Sequence, residues 1–317
     1  MASRRRWSGD RAFGTLTGAP ALLVVALVAA IAVVLWRESR LSIEAFGLGF
    51  WIRSDWDPVA GLFGAFPFIW GTLYSSLLAL LIAAPVSIGI AVFLADICPH
   101  RLRPPLIFLT ELLAAVPSIV YGLWGIFVLV PAVRDVQDAL PGWLRALPLF
   151  EGPTVGVSLL AAALVLAIMV VPYISSVARE VLKAVPQAQR EAAYALGSTR
   201  WEATLVALRY ARTGIIGAVM LGFGRAIGET MAVTMVIGNN PQASWSLFAP
   251  QYTMASVIAN EFKEAVEELH LHALVEIGLV LFTITLVVNV GSRLLSWRMA
   301  GDRVRRRARP VPTAEAA

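Results

Sequence analysis

Six stretches of mostly apolar residues, each long enough to cross a lipid bilayer as one helix, constrain this chain more than any other feature. A membrane-spanning helix needs roughly 20 such residues, and its backbone groups must bond to each other because hydrocarbon offers them no partner. The six predicted spans are Ala19–Trp36, Pro67–Ala95, Leu106–Val133, Val155–Val177, Gly214–Ile237 and Leu271–Trp297. Pro85, Pro117 and Pro172 lie inside spans and are expected to kink them.

Composition agrees with this interpretation. Apolar residues make up 58% of the 317 residues and charged residues 15%, whereas a soluble globular protein has about 45–50% and about 25%. These values exclude a soluble enzyme and a disordered chain. The sequence therefore predicts an all-α membrane protein with six transmembrane helices.

The positive charges are distributed unequally between the two sets of segments that connect the spans. If the N-terminus is cytoplasmic, the inside segments and their flanks hold 19 of the 26 Lys and Arg residues, and the outside segments hold 6. Cytoplasmic loops are enriched in Lys and Arg, so we expect a multi-pass protein of the cell (plasma) membrane with both termini in the cytoplasm. The net charge of +5 then has anionic lipid of the bilayer as its counter-charge, and nucleic-acid binding is not expected.

The spans and their flanks divide the chain into four parts. Residues 1–18 form a cytoplasmic N-terminal tail, and residues 19–66 hold the first span and an outside loop. Residues 67–297 form a core of five spans, which includes a long cytoplasmic loop over residues 178–213. Residues 298–317 form a basic cytoplasmic tail.

The long cytoplasmic loop has a helical pattern with two breaks. Pro186 separates an early helical stretch from a short helix predicted over residues 187–196, and Gly197 precedes a further helix predicted over residues 199–210. Small side chains on one face of the short helix would let another protein surface approach closely. These are Ala188, Ala192 and Ala195. On spacing alone, a plain helical hairpin that links two spans fits equally well.

Three motifs resemble those of one transporter family. The run Glu191-Ala192-Ala193 followed by Gly197 resembles the EAA loop of the membrane subunits of ATP-binding-cassette (ABC) importers. Residues 116–122 (VPSIVYG) and 224–233 (GRAIGETMAV) are similar to stretches of the phosphate-specific importer permeases. The motifs occur in the order and topology of that family. One stretch departs from the family pattern, because the loop there usually closes with Ile-x-Leu-Pro and residues 207–210 read ALRY.

The resemblance implies a fold, an activity and a set of partners. The fold would be the type I ABC importer permease fold, and the chain would be one permease subunit of an ATP-driven importer of inorganic phosphate. Its partners would be a homologous second permease, two ATP-binding subunits and an extracytoplasmic phosphate-binding protein. In that family the EAA loop forms a coupling helix that docks on the ATPase, which would give this role to Glu191, Ala192, Ala193 and Gly197.

Arg225 and Glu229 lie deep in the fifth predicted span. An arginine at the centre of a membrane helix costs about 2.5–3.5 kcal/mol on insertion scales. Residues four positions apart on one helix can pair, and a guanidinium presents a planar fork of donors that matches phosphate oxygens. We therefore expect Arg225 to contact the translocated phosphate and Glu229 to position it. A structural ion pair that only fixes helix packing is the alternative.

Other functions remain open at this point. An ion-coupled secondary transporter or an anion channel would work without ATP and would give the loop around Glu191 no role. A membrane-embedded enzyme is disfavoured, since the spans lack a His/Asp/Glu or Ser/Lys cluster at one depth. The chain has no G-x-x-x-x-G-K-[ST] loop, so ATP hydrolysis is expected on another subunit. A single cysteine, Cys98, and three scattered histidines make a metal site or another cofactor unexpected.

Overall fold

The computed structural model describes residues 3–307, with side chains described for residues 9–294 and 297. Within these residues the regular structure is helical, apart from two isolated β-bridges. The helices are α1 (Ser3–Glu38), α2 (Arg40–Phe46), α3 (Phe66–Val92), α4 (Arg103–Ala115), α5 (Ser118–Trp124), α6 (Val130–Ala139), α7 (Gly142–Arg145), α8 (Leu159–Lys183), α9 (Gln187–Ala195), α10 (Arg200–Ile227), α11 (Met231–Val236), α12 (Met254–Glu261) and α13 (Glu268–Arg307). A 3-10 turn, Gly47–Trp51, follows α2, and wider π-helical turns, Phe93–Ile97 and Gly125–Leu129, follow α3 and α5.

Six helical stretches in the described part of the chain are long and apolar enough to span a membrane, which is the number that the sequence predicts. They are Gly9–Glu38, Phe66–Ile97, Ser118–Ala139, Leu159–Lys183, Arg200–Ile227 and Glu268–Leu294. The helices that contain the first and last stretches extend beyond the predicted spans, because α1 begins at Ser3 and α13 runs from Glu268 to Arg307. The remainder of the predicted basic tail, residues 308–317, lies outside the described residues.

The third predicted span begins in the wrong place. The sequence predicted one kinked helix over Leu106–Val133, but α4 ends at Ala115 and a new helix begins at Ser118. Val116, which lies between the two helices and precedes Pro117, has extended backbone angles, φ −64° and ψ 128°. Steric contact with the proline ring disfavours helical angles at that position, so the chain is interrupted there and the span-length stretch starts only at Ser118.

α8 is the central helix of the core, and α3 and α10 pack against it. α3 carries small buried residues at four-residue spacing, which lets its backbone come close to a neighbour. These are Ser75, Ala79, Ala83, Ser87 and Ala91. The hydroxyl of Ser87 also donates to the carbonyl of Val171 on α8 at 3.2 Å. On α10, a Cβ at Gly222 would lie 2.5 Å from Cγ1 of Ile174, so only glycine permits this approach to α8.

The segments between the spans gather at two opposite ends of the helix bundle. At the long-loop end (residues 47–65, 140–158 and 238–267), Nε1 of Trp56 donates to Glu261 at 3.0 Å. The amide of Leu247 donates there to the carbonyl of Leu149 at 2.9 Å.

At the α9 end (residues 95–103 and 178–200), Arg190 pairs with Asp96. The three predicted outside loops thus meet at one end of the bundle, and the predicted cytoplasmic loops meet at the other.

Candidate functional site

The predicted short helix of the cytoplasmic loop is present as α9, Gln187–Ala195. It ends in a Schellman motif: the amide of Ser198 donates to the carbonyl of Ala193 at 3.1 Å, and the amide of Gly197 donates to that of Tyr194 at 2.9 Å. Gly197 has a φ of 83°, in the left-handed region that glycine adopts without steric cost. The break expected at Gly197 is therefore present, and its geometry favours glycine over residues with a branched side chain.

The three residues of the EAA motif point in different directions. Ala193 is buried, with 6% of its surface exposed, and it packs toward the rest of the chain. Glu191 and Ala192 are exposed. The first two residues of the motif thus lie on the outward surface of α9, and Ala193 lies on its inward face.

Sequence reasoning missed a group of large side chains that are exposed around α9. They are Tyr194, Leu196 and Trp201, which are 51%, 88% and 65% exposed. The sequence could have indicated this surface, because these aromatic or aliphatic residues lie outside every predicted span. Their exposure makes this end of the molecule a candidate surface for contact with a partner.

The second loop helix does not end near residue 210 but continues into the membrane as α10. It begins with a capping box, in which the amide of Thr199 donates to Glu202 at 2.7 Å and the amide of Glu202 donates to the hydroxyl of Thr199 at 3.4 Å. The family pattern has proline where this chain has Tyr210. Without that proline the helical hydrogen bonds continue, so the second loop helix and the fifth span form one continuous helix.

The two motifs at residues 116–122 and 224–233 lie against each other. Each contains a break that is followed by a short helix, α5 after Pro117 and α11 after residue 230. A Cβ at Gly122 on α5 would lie 3.1 Å from Cα of Ala232 on α11. Glycine at 122 therefore lets the two short helices touch, and the structure joins stretches that are about a hundred residues apart in sequence.

The predicted pair of Arg225 and Glu229 is present, but the two residues do not share one helix. Nη2 of Arg225 lies 3.4 Å from Oε2 of Glu229. α10 ends at Ile227, and Gly228 is its C-cap, so Glu229 lies in the break before α11. The prediction of one helix through Ile237 is wrong, because Gly228 has little helix propensity and the chain turns there. An arginine in the last turn of a helix also interacts favourably with the terminal carbonyl groups.

The two members of the pair differ in exposure. The side chain of Glu229 is 6% exposed and that of Arg225 is 38% exposed. Cζ of Arg225 lies 4.7 Å from the centre of the Tyr173 ring, which is a cation–π contact. The hydroxyl of Tyr173 in turn donates to the carbonyl of Ala114 at 3.3 Å, just before the break at Pro117. The guanidinium is thus held on one side by a buried carboxylate and a fixed ring, and its other side is accessible.

The neighbouring threonines bond to backbone carbonyls, as expected for membrane helices. The hydroxyl of Thr234 donates to the carbonyl of Thr230 at 2.7 Å, and that of Thr230 donates to the carbonyl of Gly228 at 3.4 Å. Arginine has five N–H donors. This arrangement can therefore offer an oriented, partly exposed guanidinium to an oxyanion.

Comparison with known proteins gives the relatives of this chain. The family model described as "Binding-protein-dependent transport system inner membrane component" matches residues 87–301. The chain is 45% identical over 296 residues to the phosphate transport system permease protein PstC of Mesorhizobium japonicum, which covers 92% of this chain and 90% of that protein. It is 48% identical over 285 residues to PstC of Pasteurella multocida, with coverage of 88% and 89%. The probable PstC of Methanocaldococcus jannaschii is 40% identical over 279 residues, with coverage of 86% and 89%.

The fold is similar to that of a solved ABC transporter. An inward-facing structure of the MetNI methionine ABC transporter matches with a TM-score of 0.55 and 14% identity, covering 73% of this chain and 94% of that chain. At this identity the similarity concerns the fold alone, and it confirms the predicted ABC importer permease fold. Together with the family model and the relatives at 40–48% identity, it shows that this chain belongs to the family of binding-protein-dependent transport system inner membrane components, the membrane permease subunits of ABC transporters.

Proposed function

We propose that this chain is a permease subunit of an ATP-driven importer that translocates inorganic phosphate across the plasma membrane. The observation that carries the proposal is the similarity to PstC proteins along nearly the whole chain, 45% identity over 92% of it. The relatives are named for phosphate transport, and the partly exposed Arg225 has the donor geometry that suits phosphate oxygens. In this proposal the chain has no catalytic residues of its own, and ATP is hydrolysed on separate subunits.

Both termini lie in the cytoplasm in this proposal. The long-loop end faces outward and the α9 end faces the cytoplasm. The distribution of Lys and Arg supports this, with 19 in the segments assigned to the cytoplasm and 6 in those assigned to the outside. The four-part division of the chain follows from it, with a permease core over residues 67–297 that contains the cytoplasmic loop 178–213, and with tails at residues 1–18 and 298–317.

The α9 end docks on an ATP-binding subunit. Glu191 and Ala192 form the outward surface of α9, and Gly197 sets the direction of the chain where α9 ends. Exposed Leu196 and Trp201 lie beside them, and burial of apolar surface stabilises a contact by about 25 cal/mol per Å². Ala193 contributes indirectly, since its methyl group fixes α9 to the core.

The complete importer contains further chains. A homologous second permease lies beside this one in the bilayer, two ATP-binding subunits bind at the cytoplasmic side, and an extracytoplasmic phosphate-binding protein delivers the substrate at the long-loop end. The family description, which names a binding-protein-dependent transport system, supports the last of these partners.

Arg225 binds phosphate on the substrate pathway, and Glu229 orients it. Glu229 is buried beside the guanidinium, so it neutralises the arginine in the membrane while no substrate is present. The contact with the ring of Tyr173 restricts the orientation of the guanidinium group of Arg225. A phosphate that reaches the accessible side can then bind two parallel N–H donors without displacing the carboxylate.

Reconstitution tests this function. The chain with the second permease, the ATP-binding subunits and the binding protein should accumulate labelled phosphate in vesicles, whereas vesicles that contain this chain alone should not. Phosphate uptake by the chain alone would favour the secondary transporter or channel instead. Genes for an ATPase, a second permease and a binding protein beside the gene for this chain would support the importer independently.

A further inference from the structure

Arg190, the residue before the EAA motif, joins three helical elements at the α9 end. Its Nη1 lies 2.5 Å from Oδ1 of Asp96, and its Nη2 donates to the carbonyl of Leu182 at 3.3 Å. Asp96 belongs to the π-helical turn that ends the second span, and Leu182 belongs to the last turn of α8. One guanidinium on α9 therefore bonds to both of the spans that form the centre of the core.

The pair is enclosed rather than superficial. The side chain of Asp96 is 10% exposed and that of Arg190 is 21% exposed. The second carboxylate oxygen of Asp96 has no hydrogen-bond partner, so Arg190 supplies the principal compensation for a buried charge. A charged pair in such a site is strongly dependent on both members, because removal of one leaves the other buried without a partner.

Besides this pair, α9 is attached to the rest of the chain by its packing on α10. Its only buried residue is Ala193, which contributes one methyl group. Arg190 and Ala193 are three positions apart and share the inward face, whereas Glu191 and Ala192 face outward. The outward face is thus available to a partner while the inward face is bonded to the spans.

We propose that the Arg190–Asp96 pair is the link that transmits movement of α9 to the second span. The inference rests on the proposed function, because it assumes that α9 is moved by an ATP-binding subunit. Arg190 and Asp96 are positioning residues in this account and contact neither ATP nor phosphate. Without the link, α9 still docks, but its displacement no longer reaches the core.

The test uses Asp96→Asn, Arg190→Gln and Arg190→Lys in the complete complex. In the first two variants the ATP-binding subunits should still co-purify, while phosphate uptake and the stimulation of ATP hydrolysis by phosphate-loaded binding protein should each fall about tenfold. Arg190→Lys keeps the charge beside Asp96 and should retain at least half of the uptake. Lys183→Gln is the control, because it removes an exposed pair with Glu180 close to α9 and should change none of these quantities.

A second measurement does not depend on transport. Hydrogen exchange on the purified full chain should show faster exchange of α9 amides in Asp96→Asn than in the wild type, with α8 and the Lys183→Gln control unchanged. Wild-type complex without ATP-driven phosphate uptake would count against the proposed function, while the exchange result would still decide the link. Wild-type uptake and stimulation in Asp96→Asn, or loss of the ATP-binding subunits from it, would overturn the inference, as would unchanged α9 exchange.

Discussion

At the scale of single residues, Arg225 and Glu229 carry the chemistry of the account. A guanidinium at membrane depth needs a compensating charge, and Glu229 supplies it from a more buried position. A pair with both side chains equally buried would leave no accessible donor for a ligand. The inequality between a 6% exposed carboxylate and a 38% exposed guanidinium is what favours a substrate site over a structural pair.

Replacement of Arg225 should strongly reduce transport without disrupting the complex. Arg225→Gln should lower phosphate uptake about 10- to 100-fold, since hydrogen bonds to charged groups contribute about 1.5–3 kcal/mol each. Arg225→Lys should also lose most uptake, because a point charge does not reproduce the planar fork. Uptake in vesicles and co-purification of the ATP-binding subunits measure the two quantities. Normal phosphate uptake by Arg225→Gln would show that Arg225 does not bind phosphate on the substrate pathway.

The charge-reversed double variant separates a substrate role from a structural one. Arg225→Glu combined with Glu229→Arg keeps an ion pair at the break but moves the guanidinium to the buried position. We expect the complex to assemble and phosphate uptake to stay low. Recovered uptake would show that the pair only fixes packing.

Glu229→Gln is the complementary change. If the carboxylate orients Arg225 as an anion, uptake should fall about as far as in Arg225→Gln. Partial uptake would instead indicate a protonated carboxyl group that donates to phosphate, because an amide can donate in the same way. The measurement is the same vesicle uptake, and the two variants should be compared in one preparation.

At the scale of helical elements, the caps and breaks decide which surfaces are formed. The position of α9 depends on Gly197, whose φ of 83° costs other residues roughly 1–2 kcal/mol. Gly197→Val should therefore displace the end of α9 and reduce co-purification of the ATP-binding subunits. No neighbouring atom lies within 4 Å of a Cβ at this position, so the effect would come from the backbone alone.

Gly197→Asn is the matched control, since asparagine tolerates left-handed angles and also occurs at helix ends. It should keep co-purification and phosphate-stimulated ATP hydrolysis near wild-type values. Equal losses in the Val and Asn variants would contradict the backbone explanation.

The helix breaks show how far the sequence could predict the structure. Pro85 and Pro172 lie inside unbroken α3 and α8, whereas Pro117 separates two helices. At that break the hydroxyl of Tyr121 donates a hydrogen bond to the carbonyl of Leu113 at 2.8 Å. The hydroxyl of Tyr173 likewise donates to the carbonyl of Ala114. Such partners satisfy backbone groups that a break exposes, and they come from other parts of the fold. Apolar length predicts that a span exists, but tertiary partners decide where it is interrupted.

The candidate site was predictable in part for the same reason. Charge at membrane depth identified Arg225 and Glu229, and the small residues of the loop identified α9. The break at Gly228 was hidden, because glycine lowers helix propensity without always ending a helix, as Gly222 and Gly224 inside α10 show. The contact of Arg190 with Asp96 was also hidden, since the two residues are far apart in sequence.

At the scale of the whole molecule, our proposal assigns one set of loops to the outside and the other to the cytoplasm, and chemical labelling can test this assignment. Cys98 is the single cysteine and is buried, so Cys98→Ser gives a background for labelling. In that background Val59→Cys, at a position 96% exposed, should react with a membrane-impermeant maleimide from outside intact cells. Leu196→Cys, at a position 88% exposed, should react only after the membrane is opened. The reverse pattern would contradict the assigned orientation.

In the proposed function, transport of phosphate is driven by ATP hydrolysis, and the energy source can be measured. The measurement is simultaneous recording of ATP hydrolysis and labelled phosphate uptake in vesicles that contain the complete complex, with the binding protein on the outer side. We expect phosphate to accumulate against its gradient only when ATP and phosphate-loaded binding protein are both present, and ATP hydrolysis to rise with it. Phosphate accumulation driven by a proton or sodium gradient in the absence of ATP would contradict the account.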